Sequence, residues 1–171
     1  MDVTTREDEG LLVDLLNTTP VVDGEQTDEL ADLAAAQDWA AAHGGDGAAE
    51  EVLALRRVRD AIQAVVRGDA QPRTLDAHLG RIAVHPRLHD GAVRWELRTP
   101  PGERQAARAL LAWVAVDERA PGRLRPCANP ECRRYLLDRS NANTARWCSM
   151  ALCGNRFKAR RHYQRARGTA E

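Results

Sequence analysis

Four cysteines are the residues of this chain whose type and spacing most clearly suggest a chemistry. They are the only cysteines among 171 residues and form two close pairs, Cys127 with Cys132 and Cys148 with Cys153. Each pair can offer two thiolates from one tight turn, and four thiolates fill the tetrahedral shell of a zinc ion. Because a filled shell leaves no open position, we expect one structural Zn²⁺. Two disulfides or unpaired thiols are the alternatives, although disulfides typify small secreted proteins and this chain is long enough to build a core.

The residues around the cysteines favour a treble-clef-like zinc finger. Pro130 stiffens the turn between the first pair, and Asn129 is expected to adopt the unusual dihedral angles of that turn. Cys148 and Cys153 would point about 140° apart on one ideal helix, too far to reach one ion. We therefore expect Cys148 in the turn leading into a helix, Cys153 in the first helical turn, and Ser149 as the helix N-cap.

The segment after the last cysteine is predicted to be a strongly basic helix over residues 150–166. On a helical wheel its cations occupy two faces. Arginine suits bidentate contact with phosphate or guanine, so these cations are the candidate nucleic-acid contacts. They are Arg156, Lys158, Arg160, Arg161 and Arg165. An ordinary solvated helical face is the alternative interpretation.

The charges are sorted along the chain, although the formal net charge is zero. Residues 1–122 carry 13 Arg against 22 Asp and Glu, whereas residues 123–171 carry 12 Lys and Arg against three acids. This asymmetry predicts two units: an acidic helical domain over 1–122 and a basic zinc finger over 123–171. It also indicates a polyanionic partner such as duplex DNA. Alternatively the basic part docks on the acidic part, and both interpretations can hold together.

Apolar periodicity predicts that the acidic part is mainly α-helical. Helices are expected over residues 11–16, from Thr27 to the Gly44-Gly45 pair, over 48–67, within 75–82 and over 103–119. Period-two alternation over residues 93–97 follows an Asp90-Gly91 turn signal, which predicts a half-buried strand in a small β-hairpin. Five side chains of this strand and the last helix are expected to be buried: Trp95, Leu97, Leu110, Leu111 and Val114.

Little in the helical part favours catalysis, and we expect that the protein is not an enzyme. The only two serines lie among the cysteines, the only lysine is Lys158, and no phosphate-binding or dinucleotide-binding loop occurs. His78, His85 and His89 could gather near the hairpin, but no carboxylate is spaced to complete a site with them. The polar pair Asn17-Thr18 at the end of the first helix is a further candidate, unless it simply terminates that helix.

The sequence predicts a protein of the cytoplasm. Its first residues lack the basic-then-apolar order of a signal peptide. The longest apolar run, residues 109–116, is too short to span a membrane.

The cysteine-rich segment resembles the CGNR zinc finger. The resemblance rests on Arg146-Trp147-Cys148-Ser149-Met150, on Cys153-Gly154-Asn155-Arg156 and on Leu137-Asp138-x-Ser140. In the helical part, Leu15-Leu16-Asn17-Thr18, Trp39 and the order of the helices resemble the ABATE domain that precedes this finger in the family. Phe157 departs from the family pattern, in which a small residue is more usual at this position.

The resemblance implies a bacterial, stress-linked transcription regulator whose finger binds DNA. It carries over the four cysteines as zinc ligands and Gly154, Asn155 and Arg156 as signature residues. In such a regulator the helical domain would sense a small-molecule effector or form a homodimer. The alternative is a zinc-scaffolded interaction module whose basic helix docks an acidic protein.

Overall fold

Three helices form the centre of the molecule in the computed structural model, which describes residues 4–159. Helices α1 (Arg6–Leu16), α3 (Ala49–Arg67) and α5 (Arg104–Arg119) pack against one another. Helix α2 (Leu33–Ala42) lies against α3. A short 3₁₀ turn (Pro72–Leu75) and helix α4 (Asp76–Leu79) take the place of the fourth predicted helix. None of the helices between residues 4 and 159 is both long enough and apolar enough to cross a bilayer.

The helix ends follow their capping residues. Thr5 and Asp8 form a capping box that begins α1, since each side chain bonds the other residue's backbone N–H. Gly68 ends α3 with a φ of 82°, a left-handed conformation that glycine adopts without strain. The predicted start of the second helix at Thr27 is wrong. Asp28 instead accepts a bond from the Leu30 amide, and the N-cap of α2 is Asp32.

The described strands form three separate antiparallel pairs. They are β1 (Val21–Val22) with β2 (Glu25–Gln26), β3 (Ala83–His89) with β4 (Ala92–Arg98), and β5 (Leu124–Pro126) with β6 (Tyr135–Leu137). Asp90 and Gly91 both have positive φ angles, 50° and 76°, as the predicted hairpin turn requires. The β1–β2 hairpin was not predicted, although Asp23-Gly24 makes the same kind of turn.

The β3–β4 hairpin projects from the helices, and the prediction of a half-buried β4 strand is wrong. Trp95 is 41% exposed and Val93 is 57% exposed, while Leu97 at the base of the hairpin is half-buried. Alternation does reflect one apolar face, but no described element covers that face near the turn.

The core lies between α1, α3 and α5, and the burial predicted for α5 holds for Leu110 alone. The inward stripe of this helix passes through Ala109, Leu110 and Trp113. Leu111 and Val114 lie at its margin and are only half-buried. Helix periodicity identified the element correctly but placed the centre of its buried face about one residue too far along the chain.

The strands of the C-terminal segment share the core of the helices. Leu124 of β5 and Tyr135 of β6 belong to the same buried cluster as the central helices. The molecule is therefore mainly α-helical, with small hairpins and a cysteine-rich finger packed directly on the helical body.

Candidate metal centre and its contact with the helical body

The four cysteine side chains converge on one point. All four Sγ atoms lie within 4.8 Å of one another. Cys148 Sγ is 3.8 Å from Cys132 Sγ and 3.7 Å from Cys153 Sγ. Four sulfurs at about 2.3 Å from a tetrahedral zinc ion are about 3.8 Å apart, whereas a disulfide needs about 2.05 Å. The geometry therefore fits a single zinc ion and not two disulfides.

No second group of this kind occurs within residues 4–159. The four cysteines are the one cluster there of three or more His, Cys, Asp or Glu side chains with metal-binding spacing. His85 and His89 lie exposed on the projecting hairpin, and His78 lies on α4. The histidine site considered from the sequence is therefore not assembled.

Two tight turns position the thiols. In the first, the Cys127 amide donates to the Arg134 carbonyl and the Cys132 amide donates to the Asn129 carbonyl. In the second, Cys148 precedes the N-cap Ser149, whose hydroxyl accepts from the Leu152 amide at 3.0 Å. Cys153 then lies in the wide helical turn Met150–Gly154. This arrangement was predicted from the five-residue spacing.

Two N–H groups point at the sulfurs. The Cys148 amide lies 3.4 Å from Cys127 Sγ, and Asn129 Nδ2 lies 3.6 Å from Cys153 Sγ. Asn129 is not among the residues with positive φ, so its predicted role in an unusual turn conformation is wrong. Its amide instead donates to the Cys153 sulfur, an interaction that stabilises a thiolate and orients it.

Two of the four thiols are held in their neutral form by their surroundings when no cation is present. Burial, together with the neighbouring Cys153 and Cys127, raises the pKa of the Cys132 thiol to about 11. Burial and the neighbouring thiols of Cys127, Cys132 and Cys153 raise the pKa of the Cys148 thiol even more than that of Cys132. Burial also opposes ionisation of Cys153, but the Asn129 hydrogen bond and the other sulfurs lower its pKa. A bound Zn²⁺ would favour the thiolates throughout, so zinc binding would release protons.

Asp138 organises the segment between β6 and the second cysteine pair. Its buried carboxylate accepts from the Ser140 and Ala145 amides, each at 2.8 Å, and from the Arg125 guanidinium. Hydrogen bonds from Ser140, then those from the backbone, lower the pKa of Asp138 to about 2. Arg125 also bonds Asn143. The Asp138 carboxylate thus fixes the chain that leads to Cys148.

Asn17 joins the finger to the helical body. Its side chain accepts from the Tyr135 amide at 2.7 Å and donates to the Tyr135 carbonyl at 3.2 Å. The Asn17 amide therefore pairs with the free edge of β6 as a strand residue would. Asn17 also occupies the C-cap of α1, which confirms the interpretation that this residue ends the first helix.

Two further contacts strengthen the same interface. The Tyr135 hydroxyl accepts from Arg67 of α3. Arg139 of the finger forms an ion pair of 3.1 Å with Glu9 of α1. Part of the charge asymmetry between the two segments is thus compensated by docking, the alternative considered from the sequence.

Comparison with protein families agrees with this geometry. Residues 123–166 match the CGNR zinc finger model. Residues 9–120 match the ABATE model, described as a "putative stress-induced transcription regulator". The chain belongs to the ABATE family. No curated protein matches the chain.

The CGNR signature of this ABATE protein follows directly on the metal centre. Gly154 is buried, and a Cβ atom added there would come within 2.5 Å of the Met150 sulfur. Asn155 and Arg156 are exposed on a helix that is described as far as residue 159. Within residues 4–159, neither Arg156 nor Lys158 forms an ion pair. The predicted contacts Arg160, Arg161 and Arg165 lie outside the described residues.

Trp147 connects a further cation to this surface. Its ring lies 4.6 Å from the Phe157 ring, centroid to centroid, and 5.5 Å from the Arg146 guanidinium carbon. Arg146 is exposed, and its guanidinium lies near the same Trp147 ring that contacts Phe157 at the start of the basic helix. Arg146 is not among the nucleic-acid contacts predicted from the sequence. Its position next to a tryptophan and a predicted ligand was the available signal.

Proposed function

We propose that this ABATE protein regulates transcription by binding duplex DNA through its CGNR finger. One observation supports the proposal most directly. Arg156 and Lys158 are exposed on the helix that begins at the metal centre, and neither has an acidic partner among the described residues. A helix start fixed by Cys153 gives these cations a defined position. Fixed cations can meet phosphates with little loss of conformational entropy.

The proposed binding surface extends beyond these two residues. Arg146 lies near the Trp147 ring, which also contacts Phe157 between Arg156 and Lys158. The sequence continues with Arg160, Arg161 and Arg165. In this proposal Cys127, Cys132, Cys148 and Cys153 hold the zinc ion in a purely structural role, with no catalytic step. Zinc-binding thiolates must remain reduced, which suits a protein of the bacterial cytoplasm.

The helical body would supply regulation. A cleft of about 390 Å³ lies between α1, α2 and the finger, and Trp39, His43 and Arg134 are among its lining residues. Trp39 stacks on His43 with ring centroids 3.8 Å apart, which offers an aromatic surface to a small molecule. Because Cys148 also lines this cleft, an effector bound there would contact both the body and the metal centre.

One observation favours the alternative of a protein-interaction module. Met150, Leu152 and Phe157 are 48%, 44% and 42% exposed around the metal centre. An apolar cluster beside cations can dock an acidic amphipathic segment of another protein. DNA contacts would use the cations alone, so the two functions differ in their dependence on salt.

A salt series with the zinc-loaded full chain tests the proposal. If four to six cations meet phosphates, log affinity for a duplex should fall against log salt with a slope of about −4 to −5. Arg156→Glu with Lys158→Glu should reduce the slope by about two units, since each lost phosphate contact removes about 0.9. The matched control is Arg73→Glu with Arg57→Glu, two exposed charge reversals on the helical body.

The outcomes separate the two candidate functions. Absence of duplex binding at low salt, or equal effects of the finger variant and the control variant, would reject DNA binding. If a protein partner is retained at high salt and lost in Leu152→Ser, the interaction module is supported instead.

A further inference from the structure

The β3–β4 hairpin has one entirely apolar face. Its register pairs Val84 with Leu97, Pro86 with Trp95, and Leu88 with Val93. Cross-strand partners point to the same side of a sheet, so these six side chains share one face. No charged residue interrupts the face.

The opposite face is polar and charged. Glu96 accepts from Arg87 at 3.1 Å and from Arg98 at 3.3 Å, which links these three side chains within one hairpin. His89 Nδ1 lies 2.9 Å from the carboxylate of Asp90 in the turn. The polar face therefore needs no partner and suits contact with water.

The apolar face is covered only at its base. Val84 and Leu97 are half-buried near the helices, but exposure rises toward the turn, where Leu88 is 78% exposed. A two-stranded hairpin is at best marginally stable in water unless its apolar face packs on something. The described part of the chain offers nothing that covers Leu88, Val93 and Trp95.

We propose that a second copy of this chain covers this face, hairpin against hairpin, about a two-fold axis near the Pro86–Trp95 pair. Val93 and Leu97 flank Trp95 at equal distances along β4. A two-fold axis there places the exposed tip of each hairpin over the base of the other. A two-fold contact places identical surfaces against each other, so charged residues on them would face residues of the same sign. The apolar face carries no charged residue, and its two copies can therefore meet without repulsion. The same absence of cations excludes DNA as the occupant.

The available area fits a weak dimer. The six side chains offer on the order of 400 Å² of apolar surface per copy, a size at which patches on monomers are often functional. Two copies together would bury on the order of 800 Å², less than the roughly 1,200 Å² of standard specific interfaces, so the association should be weak and concentration-dependent.

Sedimentation velocity of the zinc-loaded full chain without DNA tests this inference, so its outcome is independent of the proposed DNA binding. The mean mass should rise from one chain toward two between about 1 μM and 300 μM, the range expected for an interface of this size. Leu88→Ser with Val93→Ser should weaken the association at least about tenfold, since it removes the most exposed apolar side chains. His85→Ser with Ala92→Ser is the matched control on the opposite face and should leave the association unchanged.

Amide hydrogen exchange in β3 and β4 gives a second measurement. Protection should increase with protein concentration in the wild-type chain and not in the Leu88→Ser, Val93→Ser variant. A chain that stays monomeric at about 300 μM overturns the inference. Equal weakening by the two variant pairs also overturns it, because the effect then reflects hairpin stability and not the apolar face.

Discussion

Removal of the Asn17 side chain should loosen the finger from the helical body. Asn17→Ala deletes both bonds to Tyr135, whose backbone N–H and C=O then lose their partners. Tyr135 is 2% exposed, so water can replace these bonds only in part. The Asn17 backbone itself has a φ of −92°, which alanine adopts without strain, so the substitution tests the side chain alone.

The expected size follows from the two lost bonds. Leaving buried polar groups unpaired costs about 1–3 kcal/mol, which corresponds to a 5- to 150-fold change in an equilibrium constant. We therefore expect the Tyr135 amide to exchange with solvent 5- to 150-fold faster in the variant, to order of magnitude. Hydrogen exchange resolved to the 133–138 segment measures this directly, and urea unfolding gives the accompanying loss of stability.

Asn141→Ala is the matched control. Asn141 is exposed in the segment after β6, and no bond to it is found among residues 4–159. It should leave both exchange and stability unchanged. If the Asn17 and Asn141 variants behave alike, the pairing of Asn17 with the β6 edge does not hold the finger on the body.

Three further predictions concern the metal, the core and a buried ion pair. Cys153→Ser should lower the zinc content below one ion per chain, as measured by native mass spectrometry. It should also remove protection from amide hydrogen exchange between residues 127 and 153, while α3 and α5 stay protected. Unchanged zinc content would contradict the four-thiolate site. Leu110→Ala should cost about 2–5 kcal/mol in urea unfolding because Leu110 is fully buried, whereas Leu111→Ala should cost about 1 kcal/mol or less at its half-buried position; equal losses would place the buried face of α5 wrongly. Partial burial acts to raise the pKa of Asp28, but hydrogen bonds from Arg59 hold this pKa below its usual value. The ionised Asp28 carboxylate therefore stabilises the folded chain at neutral pH, and this stabilisation is lost as pH falls through the lowered pKa. The stability difference between wild type and Asp28→Asn should therefore be largest at neutral pH and shrink below about pH 4, and a difference that does not change with pH would assign the effect to packing.

The sequence alone determined the metal centre and most of the helices. Two close cysteine pairs limit the possible geometries because each pair must present both sulfurs from one turn. The spacing of Cys148 and Cys153 was enough to place Ser149 as the N-cap between them. Helix ends such as Gly68 depend on backbone conformations that neighbouring residues decide. These features are local, so a local pattern predicts them.

Tertiary structure alone decided which faces are covered. Alternation in β4 identified an apolar face, but the exposure of Trp95 depends on where the helices end relative to the hairpin. The same holds for α5, where packing against α1 and α3 selected Leu110 and Trp113 and left Leu111 at the margin. A periodic pattern gives the orientation of side chains around an element but not the position of its neighbours.

The contact between finger and body shows most clearly that a local sequence pattern does not predict long-range partners. Asn17 and Tyr135 are 118 residues apart, and nothing in either local sequence specifies the other as its partner. The residues of the Glu9–Arg139 ion pair lie even farther apart in the sequence. The sorted charges of the sequence therefore did not reveal how much of that charge is compensated within the chain. Such pairs form because the packing angles of three helices bring their ends together, and those angles result from the summed contacts of the whole core.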